Sequence, residues 1–363
     1  MWLLYISIFI CLLYLILVAA FMIGWKRIPL FNPNENELIQ SNVTVVVACK
    51  NEEEFLPRLL SCLSSQSFSN FELVLVNDHS ADNTGLIMEN AKSIFRDIQL
   101  INAVGFGKKN ALKEGIQNSR NDLIITTDAD CSPVPNWIET IVRFSINFPA
   151  DLIICPVRLS ENGTFFSRLQ SMEFTSLVAS GAGAAGAGMP IMCNGANLAF
   201  TKKAWLESQN DLHAEDQSGD DVFLLQSIQK RGGIVRFLKS ESAFVVTEPS
   251  ASVPSFFKQR RRWASKAPSY TDWHIIYTAI VVLLTNVLLL LLLGLSFLNP
   301  NYFILLIFIF GLKYFSDTFF LLNVSLFFKL KEVVFLSFLL SVYYPFYIVS
   351  VGLSSIAFKS KKW

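Results

Sequence analysis

Residues 122–130 read Asp-Leu-Ile-Ile-Thr-Thr-Asp-Ala-Asp, an apolar run that ends in two carboxylates. The length and the β-branched content of this run predict a buried strand from Asp122 to Thr127. Asp128 and Asp130 follow directly, and carboxylates at positions i and i+2 suit a hard divalent cation bound together with diphosphate oxygens. Such a pair often occurs by chance in a solvated turn, so its meaning depends on the segments around it.

Earlier segments repeat the same pattern of a strand followed by polar residues. Strands are predicted at Val43–Ala48, Phe71–Val76 and Ile98–Asn102, with helices at Phe55–Ser64 and from Gly107 to Ser119. Strands that alternate with helices at this spacing predict a parallel sheet with right-handed crossovers. Ligands bind beyond the carboxyl ends of such strands. The polar residues that close three of them are therefore expected to converge on one crevice: Asn51 and Glu52, Asp78, and Asp128 with Asp130.

Composition divides the chain into an apolar part and a globular part. Of 363 residues, 52% are hydrophobic and 16% are charged, and the apolar excess lies at the two ends, outside Ser41–Thr247. A net charge of +1 gives no support for nucleic-acid binding. Six cysteines without CxxC spacing argue against a zinc site. Cys49, Cys131 and Cys155 lie in or beside strand-like runs, which predicts buried, reduced thiols.

Four apolar runs predict membrane spans. Residues 1–25 form the first, and Lys26 and Arg27 follow it, which under the positive-inside rule places the next domain in the cytosol and the N-terminus outside. The other runs are His274–Leu298, Tyr302–Leu322 and Val333–Ala357. Four spans put the Lys329–Lys331 loop inside but the basic tail 358–363 outside, against that rule. We predict an integral membrane protein, in the inner membrane if the source is bacterial.

Two features within these regions have competing interpretations. Lys313 and Asp317 are four residues apart in the third span, which favours a mutual ion pair over a role in an acceptor site. Residues 181–186 match GxGxxG, but they follow a helical pattern at Phe166–Leu177 rather than a strand. A flexible Gly/Ala segment at Gly181–Gly188, bordering the site on its membrane side, is therefore preferred to a dinucleotide site.

Two charged motifs near the end of the globular part also allow two interpretations. Asp220 and Asp221 precede an apolar helix. They suit the N-terminal capping of that helix, and they also suit a general base for an acceptor hydroxyl. The stretch Gln-Arg-Arg-Arg-Trp at 259–263 precedes the second span. It suits an interfacial helix with arginines at lipid headgroups. It equally suits an arginine on a diphosphate with Trp263 as an acceptor platform.

The ordered set of motifs resembles the processive-type glycosyltransferases of family 2, which include cellulose, chitin and hyaluronan synthases and ceramide glucosyltransferases. The resemblance covers about Ser41–Trp263. It rests on the D, DxD, D, QxxRW signature, on a GKxxAL element at Gly107–Leu112, and on a GxN element at Gly195–Asn197. Asp220 stands where that family usually has Glu, and polymer synthases usually have more than four spans.

The resemblance implies a role for each matched residue. These are a nucleoside contact for Asp78; metal ligation by Asp130 with Asp128; a catalytic base at Asp221 beside Asp220; catalysis by Arg262; nucleotide-sugar binding by Lys50, Asn51, Glu52, Lys108, Asp128 and Arg260; and acceptor binding by Gly195, Asn197, Gln259 and Trp263. The expected cofactor is Mg²⁺ or Mn²⁺. The expected fold is a GT-A α/β domain, Rossmann-like with a mostly parallel sheet.

The implied reaction is an inverting transfer from a UDP-sugar to a hydroxyl. One N-terminal and three C-terminal spans form a thin bundle, which favours a lipid acceptor over a processive synthase that makes a glycan. A non-catalytic scaffold subunit would be expected to lose Asp221 or the DxD motif, and both are present. The predicted organisation is a span at 1–25, a linker at 26–40, the catalytic domain at 41–250, an interfacial helix at 251–272, spans at 273–357 and the tail.

Overall fold

The computed structural model describes residues 1–33, 41–212 and 220–357, and of 353–357 it describes the backbone alone. The predicted basic tail and residues 34–40 of the predicted linker lie outside these residues. The chain forms two compact units. The sheet unit comprises Ile28–Ser160 and Met192–Glu248, and the helical unit comprises Met1–Arg27, Glu161–Ile191 and Pro249–Trp363. Residues 161–191, which the sequence-based boundaries placed in the catalytic domain, thus belong to the helical unit.

The elements follow the predicted alternation of strands and helices in the first half of the chain. The strands are β1 Val43–Cys49, β2 Phe71–Asn77, β3 Ile98–Asn102, β4 Leu123–Asp128, β5 Ser132–Pro133, β6 Leu152–Ile154, β7 Val157–Leu159, β8 Leu198–Thr201, β9 Val235–Phe237 and β10 Val245–Thr247. The helices are α1 Trp2–Arg27, α2 Leu56–Ser64, α3 Thr84–Ala91, α4 Lys108–Asn118, α5 Trp137–Asn147, α6 Phe165–Gly186, α7 Lys202–Glu207, α8 Asp220–Lys230, α9 Val253–Ala264, α10 Trp273–Ser296, α11 Pro300–Phe328 and α12 Val333–Ala357.

The sheet unit contains a mostly parallel sheet of seven strands in the order β3-β2-β1-β4-β8-β6-β9, as the sequence predicted. Strands β3, β2, β1 and β4 are mutually parallel, whereas β8 runs antiparallel to both β4 and β6. A second sheet has the order β5-β10-β7. Apolar side chains of β1 and β2 pack with α2 and α5 in one core, and both strands are buried along most of their length.

The order of the strands reverses beside β1, and this creates the crevice that a ligand needs. The chain builds β2 and β3 on one side of β1 and then places β4 on the other side. Ala48 of β1 is in register with both Val76 of β2 and Asp128 of β4. The three strands therefore end at the same level. Ligands bind at such a topological switch point in open α/β sheets.

Within the described residues, four helices of the helical unit are long and apolar enough to cross a membrane: Trp2–Arg27, Trp273–Ser296, Pro300–Phe328 and Val333–Gly352. This agrees with the four predicted spans. Helix α11 extends beyond the predicted Tyr302–Leu322, because Asn323 and Ser325 lower the hydropathy without interrupting the helix. It ends at Phe328, and Lys329 caps it in a left-handed conformation with φ of 58°.

The Gly/Ala-rich segment is helical, and the prediction that it is flexible is wrong. Residues 181–186 are the last turns of α6, in which a helix of 22 residues continues past the predicted end at Leu177. Gly183 faces α1: a Cβ added there would lie 2.3 Å from the carbonyl oxygen of Phe21. A Cβ on Gly24 would lie 1.9 Å from the carbonyl oxygen of Gly183. Small residues at this crossing let the two backbones approach closely.

We predict that Gly183→Val destabilises the helical unit, because every atom that its Cβ would meet first is backbone. Overpacking of this kind costs about 1–3 kcal/mol or more. Thermal unfolding of the purified chain in detergent should therefore show a clear drop in Tm. Gly311→Val, also within a helix (α11), is the matched control, since a Cβ on Gly311 would meet nothing within 4 Å. An equal Tm for both variants would contradict the close crossing.

The predicted ion pair and the predicted thiols are also found. Lys313 Nζ lies 2.6 Å from Asp317 Oδ2, and the Tyr14 hydroxyl of α1 donates to Asp317 Oδ1 at 2.8 Å. Cys49, Cys131 and Cys155 are buried free thiols, as predicted. The buried Lys313 is thus paired within the helical unit, which agrees with the structural interpretation of this charge.

Candidate active site

Loops that follow β1 and β2 are tied together by Asn51, at the carboxyl end of the sheet. Asn51 adopts a left-handed conformation with φ of 55°. Its backbone N–H donates to Ser80 Oγ at 3.1 Å, and its Oδ1 accepts from the N–H of Ala81 at 2.8 Å. The structure therefore brings two of the predicted strand-end loops together, and it gives Asn51 a part in holding them.

Asp78 is buried at the same end of the sheet and is not exposed on its surface. Only 2% of the residue is exposed, and both carboxylate oxygens accept from the N–H of Gly107, at 2.9 and 3.0 Å. Lys50 Nζ lies 3.6 Å from Asp78 Oδ2. Asp78 thus joins the end of β2 to Gly107, which begins α4 with φ of +93°, a conformation that favours glycine. Its predicted contact with the nucleoside stays a prediction.

Three carboxylates of the sheet unit lie close enough to repel one another. Burial raises the pKa of Glu52, the charges of Asp130 and Asp128 raise it further, and it reaches about 7. Burial, followed by the charge of Asp128, also raises the pKa of Asp130. Both shifts mean that an added positive charge would be stabilised at this point. The structure therefore confirms that Glu52 and the DxD motif converge.

Lys108 supplies one positive charge to this group and also lies near the predicted base. Its ammonium forms an ion pair with Asp128 Oδ1. Desolvation lowers the pKa of Lys108, although half of the side chain is exposed. The charges of Asp128, Asp130 and Asp221 raise this pKa by more, so that it lies above its ordinary value. Lys108 is therefore held as a cation beside the DxD motif.

Asp221 is held at the first turn of α8. Its Oδ2 accepts from the N–H of Gly195 at 3.0 Å, and its Oδ1 accepts from the N–H of Val222 at 2.9 Å. Asp220 instead contacts Lys109, whose Nζ lies 3.2 Å from Asp220 Oδ1. Burial raises the pKa of Asp220, against the opposite effect of Lys109. Lys109 was missed in the sequence because it occupies a variable position of GKxxAL, and only folding brings α4 to α8.

Asn197 cannot contact an acceptor, and its prediction as an acceptor-binding residue is wrong. The residue is 0% exposed. Its Oδ1 accepts from Trp137 Nε1 at 2.8 Å, and its Nδ2 donates to the carbonyl oxygens of Pro156 at 2.7 Å and Ala243 at 2.8 Å. The amide therefore fixes the short 3₁₀ turn Gly195–Asn197 in the core, and that turn presents the Gly195 N–H to Asp221.

We predict that Asn197→Ala lowers the stability of the whole chain, because it removes the partner of the Trp137 indole N–H and of the Ala243 carbonyl oxygen. The Pro156 carbonyl oxygen keeps its bond from the Val245 N–H at 3.2 Å. Each buried polar group left unpaired costs about 1–3 kcal/mol. Thermal unfolding in detergent measures the loss. Asn118→Ala is the control, since that exposed amide donates only to the Glu114 carbonyl oxygen at 2.8 Å. A wild-type Tm for Asn197→Ala would contradict this structural role.

The QxxRW residues belong to the helical unit, within α9. Gln259 and Trp263 are partly buried, whereas Arg262 is exposed. Arg260 is only 4% exposed, and its guanidinium is paired with the carboxylate of Glu173 from α6. A guanidinium that is already paired with a buried carboxylate does not face a diphosphate. Arg260 is therefore paired with Glu173, whereas the sequence predicted that it binds the nucleotide-sugar.

The donor set of the sheet unit suits a hard cation. Glu52, Asp128 and Asp130 offer oxygen ligands only, and their mutual repulsion favours an added cation. Among the described residues, no group of three or more His, Cys, Asp or Glu side chains is arranged to hold a metal ion alone. Mg²⁺ commonly binds through one or two carboxylates together with substrate phosphates. These residues therefore fit a cation that shares its ligands with a diphosphate.

Residues 44–208 match the family model described as "Glycosyl transferase family 2". This stretch, which is less than half of the chain, is a family 2 glycosyltransferase domain by that match. The matched region begins in β1 and ends just after α7, so it contains Glu52, Asp78, Lys108, the DxD motif and Gly195. The glycosyltransferase domain thus accounts for most of the convergent polar residues, while Asp221 and QxxRW lie beyond it.

Curated relatives of the glycosyltransferase domain differ in what their names say they act on. The poly-beta-1,6-N-acetyl-D-glucosamine synthase of Staphylococcus aureus strain COL is 29% identical over 152 residues, 40% of this chain and 35% of that protein. The undecaprenyl-phosphate 4-deoxy-4-formamido-L-arabinose transferase of Proteus mirabilis is 37% identical over 109 residues, 28% of this chain and 33% of that protein. The chain thus spans about a third of the length of these relatives.

A solved mannosyltransferase from Pyrobaculum calidifontis, determined with GDP-Man and Mn²⁺, has the same fold. The TM-score is 0.56 at 13% identity, and the match covers 99% of this chain and 98% of that one. At this identity the likeness shows the fold alone. It confirms that the mostly parallel sheet of the sheet unit is of the GT-A type.

Proposed function

We propose that this protein is a membrane-anchored, inverting glycosyltransferase that moves a sugar from a UDP-sugar to a hydroxyl of a lipid. The proposal rests mainly on Lys108, whose ammonium forms an ion pair with Asp128 of the DxD motif and whose charge Asp221 also stabilises. A donor diphosphate beside the DxD motif and an acceptor beside Asp221 would then both lie near the Lys108 ammonium. The match to the family 2 model supports the choice of a nucleotide-sugar donor.

The donor is proposed to bind at the carboxyl ends of β1, β2 and β4. Asp78, Lys50, Asn51 and Glu52 are assigned to the nucleoside side, and Lys108 and Asp128 to the diphosphate. Asp130, with Asp128, would hold Mg²⁺ or Mn²⁺, and the cation would neutralise the charge that develops on the diphosphate. The Mn²⁺ and GDP-Man in the Pyrobaculum calidifontis structure support a divalent cation beside a nucleotide-sugar in this fold.

Asp221 is proposed as the general base. The acceptor hydroxyl gives its proton to the Asp221 carboxylate while its oxygen bonds to the anomeric carbon, and UDP leaves with the electron pair of the broken bond. The N–H groups of Gly195 and Val222 hold both carboxylate oxygens, so the side chain is oriented before the acceptor arrives. A direct displacement inverts the anomeric configuration. Asp220, which is paired with Lys109, would support Asp221 from the adjacent position in the chain.

The acceptor is proposed to be a lipid, presented at the membrane by the helical unit. Four apolar helices support membrane association, and Lys26 with Arg27 supports a cytosolic catalytic domain and an outer N-terminus. Gln259, Arg262 and Trp263 are assigned to the acceptor and the leaving group. The Proteus mirabilis relative acts on a lipid phosphate by its name, whereas the staphylococcal relative makes a polysaccharide. A processive synthase is therefore the second candidate.

Incubation of membranes that contain the full chain with a panel of radiolabelled UDP-sugars and Mn²⁺, followed by organic extraction, tests the proposal. We expect label from one donor in the solvent phase, and none from control membranes that lack the protein. Label in insoluble polymer would support the processive synthase instead. Transfer from no member of the panel would contradict a UDP-sugar donor.

A further inference from the structure

Arg260 occupies the second position of the Gln259–Trp263 motif, and it points to the inside of the helical unit. Phe256 and Arg260 are the buried residues of α9, one helical turn apart on the same face. Aromatic side chains of α9 and α12 pack beside them, including Tyr347. The motif is therefore split between one buried arginine and two exposed ones, Arg261 and Arg262.

Both oxygens of a buried carboxylate engage the Arg260 guanidinium. Nε donates to Glu173 Oε1 at 3.1 Å, and a terminal nitrogen donates to Glu173 Oε2. Glu173 is 2% exposed, and the Tyr347 hydroxyl donates to its Oε1 at 3.3 Å. Charges at this depth persist only when paired and hydrogen-bonded. The pair connects α6, α9 and α12 at one point.

The rest of the Arg260 guanidinium contacts the first and last residues of the motif. Its remaining terminal nitrogen donates to Gln259 Oε1 at 2.7 Å. Its central carbon lies 4.1 Å from the centre of the Trp263 ring and 4.6 Å from that of Phe256. Arginine alone among the side chains offers a planar fork that can bind a carboxylate, donate to an amide and stack on an indole together.

We propose that Glu173, Arg260 and Tyr347 form a positioning cluster, which holds Gln259 and Trp263 in the orientation that binds the acceptor. The inference rests on the proposed function, because it assumes that these two side chains meet the acceptor. Arg260 is then a positioning residue, and its loss should weaken the use of the acceptor without changing donor affinity. A diphosphate ligand would show the opposite pattern.

The test compares Arg260→Lys with Arg261→Lys in the purified full chain, with a total lipid extract of the host membranes as acceptor. Lysine at 260 keeps the buried charge beside Glu173 but has no planar fork for Gln259 and Trp263. We expect the concentration of extract that half-saturates transfer to rise by about tenfold in Arg260→Lys, with an unchanged Kd for UDP in Mn²⁺. Arg261→Lys, an exposed neighbour on α9, should match the wild type.

Tyr347→Phe keeps the inference falsifiable if Arg260→Lys does not fold, because it removes only one hydroxyl from Glu173. We expect a smaller rise in the half-saturating concentration, about fivefold for one lost hydrogen bond. Wild-type kinetics in a folded Arg260→Lys, or in Tyr347→Phe alone, would overturn the cluster. A weaker Kd for UDP in Arg260→Lys would overturn it too, and would assign Arg260 to the diphosphate. Absence of transfer by the wild type would instead contradict the proposed function.

Discussion

Asp221→Asn is expected to abolish transfer while leaving donor binding intact. Asparagine keeps the size of the side chain, and its oxygen can still accept from the N–H of Gly195, which now bonds Asp221 Oδ2 at 3.0 Å. It cannot take a proton from an acceptor hydroxyl. Loss of a positioned general base lowers kcat by about 10²–10⁴-fold. Transfer kinetics and the Kd for UDP in Mn²⁺, measured on the same purified protein, check both halves of the prediction.

Asp220→Asn is the matched comparison, because it changes the adjacent carboxylate, which contacts Lys109 instead. We expect a smaller loss of kcat, since the carboxylate held by Gly195 remains. If Asp221→Asn kept nearly wild-type turnover, the assignment of the base would be wrong. If Asp220→Asn alone abolished transfer, the roles of the two residues would be exchanged.

Asp130→Ala is expected to remove the metal-dependent part of UDP binding. Calorimetric titration of the purified chain with UDP, in Mn²⁺ and in EDTA, separates that part from the remainder. We expect the Kd in Mn²⁺ to rise by at least about tenfold, towards the value in EDTA. The change should not destabilise the free protein, because burial and the charge of Asp128 raise the pKa of Asp130, so its ionised form is unfavourable in the fold.

Asp122→Ala is the control for this experiment, since Asp122 is exposed and directly precedes β4, at the opposite end of the strand from Asp130. Its Kd for UDP should equal that of the wild type with and without Mn²⁺. An unchanged metal dependence in Asp130→Ala would remove this residue from the proposed metal site.

The order of elements around the donor side followed from the sequence because it depends on local pattern. Apolar, β-branched runs become strands buried on both faces, and the polar residue after each run falls at the carboxyl end of the sheet. The positions of Glu52, Asp78 and Asp128 are thus consequences of chain direction and register. The strand β3 was predicted with its observed bounds, and β1, β2 and β4 within one residue at each end.

The predictions that failed depend on tertiary packing, which spacing does not encode. Asn197 and Arg260 lie in motifs that read as ligand contacts, yet the fold buries each beside partners more than 40 residues away. The segment at Gly181–Gly186 has a composition that suits a flexible loop. It is helical because its glycines permit the close crossing with α1, which is a tertiary interaction.

The central claim is that Asp221 activates an acceptor hydroxyl for direct displacement at a donor held by the strand-end carboxylates. The anomeric configuration of the product tests it most directly. The purified full chain would be given an α-linked UDP-sugar that supports transfer, and the anomeric proton of the extracted glycolipid would be assigned by NMR. A β-linked product is predicted. An α-linked product would contradict direct displacement, and with it the role given to Asp221.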